Sequence, residues 1–94
     1  MEQPADFTIS TATDRPTVAL TGDWTAPHLG AAGANLGRAL RGLGEADFDL
    51  RGARRMDTAG AYAVVRAAGG GLDPGRIKVR REARRLLELV AYAV

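Results

Sequence analysis

The sequence predicts an α/β domain whose elements follow the order β-β-α-β-α-β-α around a mixed, four-stranded sheet. Short segments alternate apolar and polar residues with the period of a half-buried strand, and longer segments repeat apolar residues with the period of a helix. Strands separated by helices of this size imply βαβ crossovers and a partly parallel sheet. The 94 residues are predicted to form a single domain over 1–94, because two independent cores are difficult to build at this length.

The first two strands are predicted to form an antiparallel hairpin at one edge of the sheet. Residues 7–11 and 17–21 both alternate apolar and polar side chains. The second segment places Val18 and Leu20 on one face. Residues 13–16 separate the two strands and have the composition of a turn.

A first helix is predicted over residues 26–43, where apolar residues recur at helical spacing. Thr25 is suited to cap its start, Pro27 fits the first turn, and Gly44 is suited to end it. Three glycines lie beside the apolar stripe: Gly30, Gly33 and Gly37. Because each costs roughly 1 kcal/mol against Ala in a helix interior, they indicate either a close approach of another backbone or a weak helix.

A third strand is predicted over residues 47–51, followed by a connection over residues 52–56. Asp57 or Thr58 is suited to cap a second helix. The apolar stripe of this helix is Ala61, Val64, Val65 and Ala68. Glycines at positions 69–71 are predicted to end it.

A fourth strand is predicted over residues 76–80 and a third amphipathic helix from Ala83 to Val94. No stop signal follows this helix, which suggests that the sequence was cut from a longer chain. If the natural chain continued into apolar runs of roughly 20 residues, the domain would belong to a membrane permease.

The composition excludes several classes of function. With no Cys, neither a disulfide framework nor a cysteine-based zinc site can form. A single His gives no basis for a histidine metal site or a Ser–His nucleophile. No metal, cofactor or catalytic residue is therefore predicted, and the chain is predicted not to be an enzyme. No apolar stretch approaches the roughly 20 residues that span a bilayer.

The net charge of +2 conceals an uneven distribution. Residues 1–50 carry three Arg and seven acidic residues, whereas residues 51–94 carry ten Lys or Arg and four acidic residues. Because the net charge is so small, no nucleic-acid partner is predicted. A basic cluster in the second half fits either contact with anionic lipid headgroups at a membrane surface or a solvated strand edge and helix face. Its members are Arg76, Lys78, Arg80, Arg81, Arg84 and Arg85.

Two other side chains are predicted to have structural roles. His28, in the first turn of the predicted first helix, is expected to be solvated or to cap that turn. Trp24 is expected to cover the edge of the core rather than to stack on a ligand.

The most informative stretch contains two short motifs. Residues 49–52 (Asp-Leu-Arg-Gly) end a predicted strand, and residues 57–60 (Asp-Thr-Ala-Gly) begin a predicted helix. A loop from a strand end to a helix N-terminus gathers free backbone N–H groups and a partial positive charge. Thr58 would place its hydroxyl there, and Gly60 is predicted to keep the first turn thin so that a partner surface can approach closely.

These motifs resemble those of STAS domains (sulfate transporter and anti-sigma factor antagonist), in which Asp-Leu-Ser-Gly at a strand end leads to Asp-Ser-Ser/Thr-Gly at a helix start. The predicted element order is also the family's, so the resemblance covers nearly the whole chain. It implies that the helices pack mainly on one face of the sheet. With residues 22–25 (Gly-Asp-Trp-Thr) and 56–61 (Met-Asp-Thr-Ala-Gly-Ala), the chain looks most like the N-terminal STAS domain fused to permeases of Mla-type phospholipid ABC transporters.

The resemblance implies a non-catalytic bacterial protein-interaction module for lipid transport and phospholipid asymmetry. Its implied partners are the ATP-binding subunit of the ABC transporter and its permease. Its implied location is cytoplasmic, at the inner face of the inner membrane. The implied partner-binding residues belong to the loop and the following helix: Asp57, Thr58, Ala59, Gly60, Tyr62, Ala63 and Arg66.

The resemblance leaves open a stand-alone anti-sigma factor antagonist. In that branch of the family, the residue matching Thr58 is phosphorylated by an anti-sigma factor kinase, which switches binding. A phosphate on Thr58 would add roughly −1.5 to −2 charge at a helix end that favours anions. The alternative is that Thr58 or Asp57 simply caps the helix, which is worth about 1 kcal/mol.

Overall fold

A computed structural model of the chain describes residues 3–12, 14–43, 45–69 and 74–93. These residues form, in order, β1 (Asp6–Ser10), β2 (Thr17–Trp24), a 3-10 helix (Ala26–His28), α1 (Ala32–Leu40), β3 (Asp47–Asp49), β4 (Ala53–Met56), α2 (Thr58–Ala67), a second 3-10 helix (Pro74–Arg76), β5 (Ile77–Lys78) and α3 (Arg81–Ala93).

The strand β2 is the centre of the sheet. β1 pairs antiparallel with its first half, with Phe7 opposite Leu20 and Ile9 opposite Val18. On the other side β3 runs parallel to β2, and β5 runs parallel to β3. The sheet is therefore mixed, with the order β1-β2-β3-β5. The predicted α/β class, the mixed sheet and the three helices are confirmed.

Residues 53–56 form a strand within the segment that the sequence predicts as a connection. As β4, it pairs in parallel with the second half of β2, so the described sheet has five strands rather than four. Between β3 and β4 the chain turns, and the Ala53 N–H donates to the Leu50 carbonyl at 3.1 Å. Because Arg54 and Arg55 in the middle of β4 are both exposed, the strand carries no alternating apolar pattern that would have predicted it.

The first helix begins later than predicted. The prediction of one helix over residues 26–43 is wrong, because the 3-10 helix at Ala26–His28 is separated from α1 by a break. The break includes Gly30, whose φ of +50° lies in the left-handed region that other residues avoid. Thr25 precedes the 3-10 helix, but its side chain makes no capping hydrogen bond to the backbone.

The first helix also ends earlier than predicted. α1 stops at Leu40 because Arg41 has an extended backbone, with φ −63° and ψ 127°. Gly42 follows with a φ of +81°, so Leu43 lies beyond the helix. The predicted stop at Gly44 lies outside the described residues.

The last strand is short. The predicted strand over residues 76–80 is reduced to β5, because Pro74–Arg76 form a 3-10 helix directly before it. α3 then begins at Arg81, two residues before the predicted start, and is described as far as Ala93. Val94 and the glycines at 70 and 71 lie outside the described residues.

One hydrophobic core joins the strands to all three helices. β2 contributes Val18, Leu20 and Trp24, none of which has exposed surface. Burial of a large apolar side chain contributes roughly 1.5–3 kcal/mol before entropic costs. The remaining core members are Ala32 and Leu36 of α1, Phe48, Leu50, Ala53, Ala61, Val64 and Val65 of the middle of the chain, and Leu87 and Val90 of α3.

The helices α1 and α2 approach closely and run parallel. A Cβ built on Gly33 would lie 3.1 Å from the Cβ of Ala63, and one built on Gly37 would lie 3.9 Å from the Cα of Ala67. Both contacts advance by four residues in the same direction, so the two helices point the same way. Of these three glycines, only Gly33 lies in a tight contact, which is with the Ala63 side chain. Gly37 would meet Ala67 at an ordinary distance, and Gly30 has open space around it.

We expect Gly37→Ala to raise the free energy of unfolding by about 0.5–1 kcal/mol, because Ala is favoured in a helix interior. Its Cβ would meet Ala67 at an ordinary 3.9 Å. The matched change one turn earlier, Gly33→Ala, should gain less or lose stability, because its Cβ would press against that of Ala63. Urea unfolding followed by circular dichroism measures both effects. Equal gains would contradict the tight contact at Gly33.

Candidate functional site

The second motif forms the start of α2, and Asp57 is its cap. Asp57 has an extended backbone, and its Oδ1 accepts a hydrogen bond from the Gly60 N–H at 2.9 Å. Its Oδ2 accepts one from the Ala26 N–H, also at 2.9 Å. The Asp57 N–H donates to the Trp24 carbonyl at 3.2 Å. One residue therefore joins the helix, the first 3-10 helix and the end of β2.

The environment of Asp57 holds the pKa of its carboxyl below the ordinary value. Burial raises the pKa, but hydrogen bonds from the N–H groups of Ala26, Gly60 and Ala59 favour the charged form and outweigh the burial. The partial positive charge of the helix N-terminus acts in the same direction. At neutral pH the Asp57 carboxylate is therefore ionised, and its negative charge is already hydrogen-bonded to backbone N–H groups of the protein.

The three residues after Asp57 differ in exposure. Thr58 is exposed, Ala59 is half-buried and Gly60 is buried. A Cβ on Gly60 would lie only 1.7 Å from the carbonyl oxygen of Trp24. The close approach that Gly60 permits is therefore to Trp24 inside the molecule, whereas the sequence predicts a close approach of a partner outside.

The exposed face of α2 carries three of the predicted site residues. Thr58, Tyr62 and Arg66 are spaced by four residues, so they lie along one side of the helix. All three are exposed, and Tyr62 keeps 45% of its surface accessible. Ala63 is half-buried, with its Cβ turned toward Gly33 of α1. The structure thus places Thr58, Tyr62 and Arg66 on one exposed surface. Asp57 and Gly60 instead make contacts inside the protein.

The first motif also packs against β2. A Cβ on Gly52 would lie 2.6 Å from the carbonyl oxygen of Leu20, and Leu50 is buried in the core. Asp49 accepts hydrogen bonds from Nε and Nη2 of Arg51 at 2.9 and 3.0 Å. The Arg51 side chain, through these hydrogen bonds, lowers the pKa of the Asp49 carboxyl. The glycines of both motifs therefore lie against backbone carbonyls of the same strand.

The first helix lies beside the exposed face of α2, although the sequence predicts no site residue on it. A groove of about 750 Å³ runs between the two helices. Its α1 side is lined by Leu29, Gly33, Ala34, Gly37, Arg38 and Arg41, and its α2 side by Ala59, Tyr62, Ala63, Arg66 and Ala67. Of these residues the sequence predicts a role only for Gly33 and Gly37, as a close approach of another backbone or a weak helix, and it predicts none for Arg38 and Arg41.

Trp24 and His28 have local structural contacts. Trp24 is completely buried and its Nε1–H donates to the Thr21 carbonyl at 3.0 Å, so it lies inside the core and does not cover its edge as the sequence predicts. His28 is half-buried, and its Nδ1 lies 3.1 Å from Oγ1 of Thr25. This contact holds the single turn of 3-10 helix between the two residues.

At least two side chains of the basic cluster make contacts within the protein. Arg76 forms an ion pair with Glu45 at 2.8 Å, and Arg84 donates to the Ile77 carbonyl at 3.2 Å. The other members of the cluster are exposed: Lys78, Arg80, Arg81 and Arg85. Contact of these side chains with a membrane surface stays a prediction.

Within residues 3–12, 14–43, 45–69 and 74–93, no three His, Asp or Glu side chains come together as a metal site would require. Over the same ranges, none of the helices combines the length and the apolar character needed to cross a bilayer. Comparison with protein-family models, curated proteins and solved structures found no match.

We expect Gly60→Ala to lower the free energy of unfolding by about 3 kcal/mol or more, because the new methyl group would overlap the backbone of Trp24, which has no rotamer to change. Thr58→Ala, an exposed change two residues away, should cost less than about 0.5 kcal/mol. Thermal unfolding followed by circular dichroism compares the two variants. A Gly60→Ala protein as stable as the parent would show that α2 does not rest on Trp24.

We expect Asp57→Asn to destabilise the fold by about 0.5–1.5 kcal/mol at pH 7, because Gly60 and Ala26 bind different carboxylate oxygens and one of these becomes an –NH2 group that cannot accept. The folded-state pKa of Asp57 lies below its unfolded value. Its contribution is therefore complete above the unfolded pKa and is lost as pH falls through the folded pKa. The stability difference between parent and variant should shrink below about pH 4, as measured by urea unfolding across the acid range. A difference that does not change with pH would contradict this role.

Proposed function

We propose that this chain is a STAS domain that serves as a non-catalytic interaction module of an Mla-type phospholipid ABC transporter. One observation carries the proposal. The Asp-Thr-Ala-Gly motif stands at the start of α2 with Thr58 exposed, and the same helix face presents Tyr62 and Arg66. An exposed hydroxyl at a helix start, continued by an exposed helix face, is the arrangement that the family resemblance implies for partner docking.

The arrangement of the elements supports the proposed family. The STAS topology has its helices mainly on one face of a mixed sheet. In this chain α2 contacts both α1 and α3, and it also packs against β2 and β4. The proposed single layer of three helices, with α2 in the middle, would be consistent with these contacts. The antiparallel hairpin followed by parallel strands fits the same topology.

Docking is the proposed mechanism. The ATP-binding subunit of the transporter would bury Thr58, Tyr62 and Arg66, and Tyr and Arg are residue types that often dominate binding energies. The hydrogen bonds of Asp57 fix the turn before binding, so little conformational entropy is lost when the partner arrives. The module would lie on the cytoplasmic side of the inner membrane beside the permease, where the exposed basic residues of the cluster would meet anionic headgroups.

We expect Thr58→Glu to weaken binding to the ATP-binding subunit of the cognate transporter by about tenfold or more, because a long charged side chain would be buried at the centre of the contact. Thr8→Glu, the same change at an exposed position of the edge strand β1, should leave the affinity unchanged. Pull-down followed by biolayer interferometry with the purified subunit measures both. Equal affinities for the Thr58→Glu protein and the parent would exclude this docking site.

The exposed Thr58 hydroxyl also favours a second candidate, an anti-sigma factor antagonist that a kinase switches. A phosphate there would gain from the N-terminus of α2, but the Asp57 carboxylate next to it would oppose the added charge. Incubation with a cognate anti-sigma factor kinase, followed by mass spectrometry, tests this function. Phosphate found on Thr58 and absent from Thr58→Ala supports it, and an unmodified Thr58 excludes it.

A further inference from the structure

The groove between α1 and α2 has an apolar floor made of small side chains. Gly33, Ala34, Gly37, Ala63 and Ala67 line it, and none of them extends beyond a methyl group. The two helices are already as close as their small residues allow at Gly33 and Ala63. A third helix could therefore lie over them at an ordinary interaxial distance of about 8–10 Å.

Positive charge surrounds this floor. Arg38, Arg41 and Arg66 line the groove, and all three are exposed. No acidic residue lines the groove in the described part of the chain. Arg38 donates a hydrogen bond to the neutral amide of Asn35. Arg15, Arg51 and Arg76, by contrast, form ion pairs with Asp47, Asp49 and Glu45.

An exposed aromatic side chain marks the same surface. Tyr62, one of the two large hydrophobic residues that are exposed in the described chain, lies on the α2 side of the groove. α1 has nine residues and so is about 13 Å long, which is the length of between two and three turns of a helix. The floor, the charge and the length together define the shape and chemistry of an occupant.

We propose that the α1–α2 groove binds an acidic amphipathic helix of a partner protein. Small or medium apolar side chains of that helix lie on the methyl floor, and Asp or Glu residues on its flanks pair with Arg38, Arg41 and Arg66. The inference deepens the proposed function, and it rests on that function for the identity of the protein that carries the helix. The groove begins beside Thr58, at Leu29 and Ala59, so one partner can cover both surfaces.

A designed peptide tests the groove without any assumption about the partner. The probe is a helix of about 14 residues, near the lower length limit for helices in water, with Ala and Leu on one face and Glu on both flanks. We expect it to shift the amide resonances of Gly33, Gly37, Ala63 and Ala67 in ¹H–¹⁵N spectra. The matched peptide with Lys in place of Glu should not shift them.

Charge-reversal variants locate the interaction. The double variant Arg38→Glu/Arg66→Glu should bind the Glu peptide about tenfold more weakly and should gain affinity for the Lys peptide. The control, Arg55→Glu/Arg81→Glu, changes the net charge equally at two exposed residues that do not line the groove, and it should bind like the parent. Ala34→Phe, which fills the floor and leaves every charge in place, should also weaken binding.

Three results would overturn the inference. They are equal shifts with the Glu and Lys peptides, equal losses of affinity in the two charge-reversal variants, or shifts of the groove amides by anionic phosphatidylglycerol vesicles and not by the Glu peptide.

A failure of the proposed function is distinguished from a failure of this inference by a second comparison. If Thr58→Glu weakens binding of the ATP-binding subunit while Arg38→Glu/Arg66→Glu does not, the result supports the docking site and rejects the groove as a binding site. If the Glu peptide binds but the ATP-binding subunit does not, the result supports the groove as a binding site and rejects the transporter subunit as its partner.

Discussion

The contact between the first turn of α2 and the backbone of Trp24 determines where the rest of the site lies. No side chain fits at position 60, because a Cβ there would overlap the Trp24 carbonyl. Asp57 then fixes the direction of the turn, since its carboxylate accepts hydrogen bonds from both Gly60 and Ala26. A helix held at its start in this way presents Thr58 to solvent in one orientation, which is a requirement for a preformed docking surface.

The central strand β2 supports both motifs. Gly52 lies against the carbonyl of Leu20, and Gly60 lies against that of Trp24, four residues further along the same strand. The side chains of these two strand residues are at the same time fully buried in the core. The strand therefore holds the motif glycines through its backbone and the hydrophobic core through its side chains, so damage to the core would also displace the site.

The motif residues divide between support and exposure. Asp57 and Gly60 make internal contacts, and Thr58 is turned outward. In the proposed docking, the surface that would distinguish one partner from another lies beyond the motif, on Tyr62, Arg66 and the neighbouring face of α1. In that proposal the motif marks where a partner would dock, and the chemistry of the flanking helices would determine which partner fits.

The sequence by itself determined the α/β class, the hairpin and the three helices, because apolar periodicity is a local property of each segment. Only the tertiary structure decided that 53–56 forms a strand, since its exposed arginines carry no pattern and its partner, β2, is distant in sequence. The same holds for the site. The sequence located Asp57 and Thr58 at a helix start, but Gly60 faces Trp24, and Arg38 and Arg66 line one groove, only because β2 and α1 pack where they do. Contacts between segments far apart in the chain depend on the packing of the whole core, and local sequence patterns do not predict that packing.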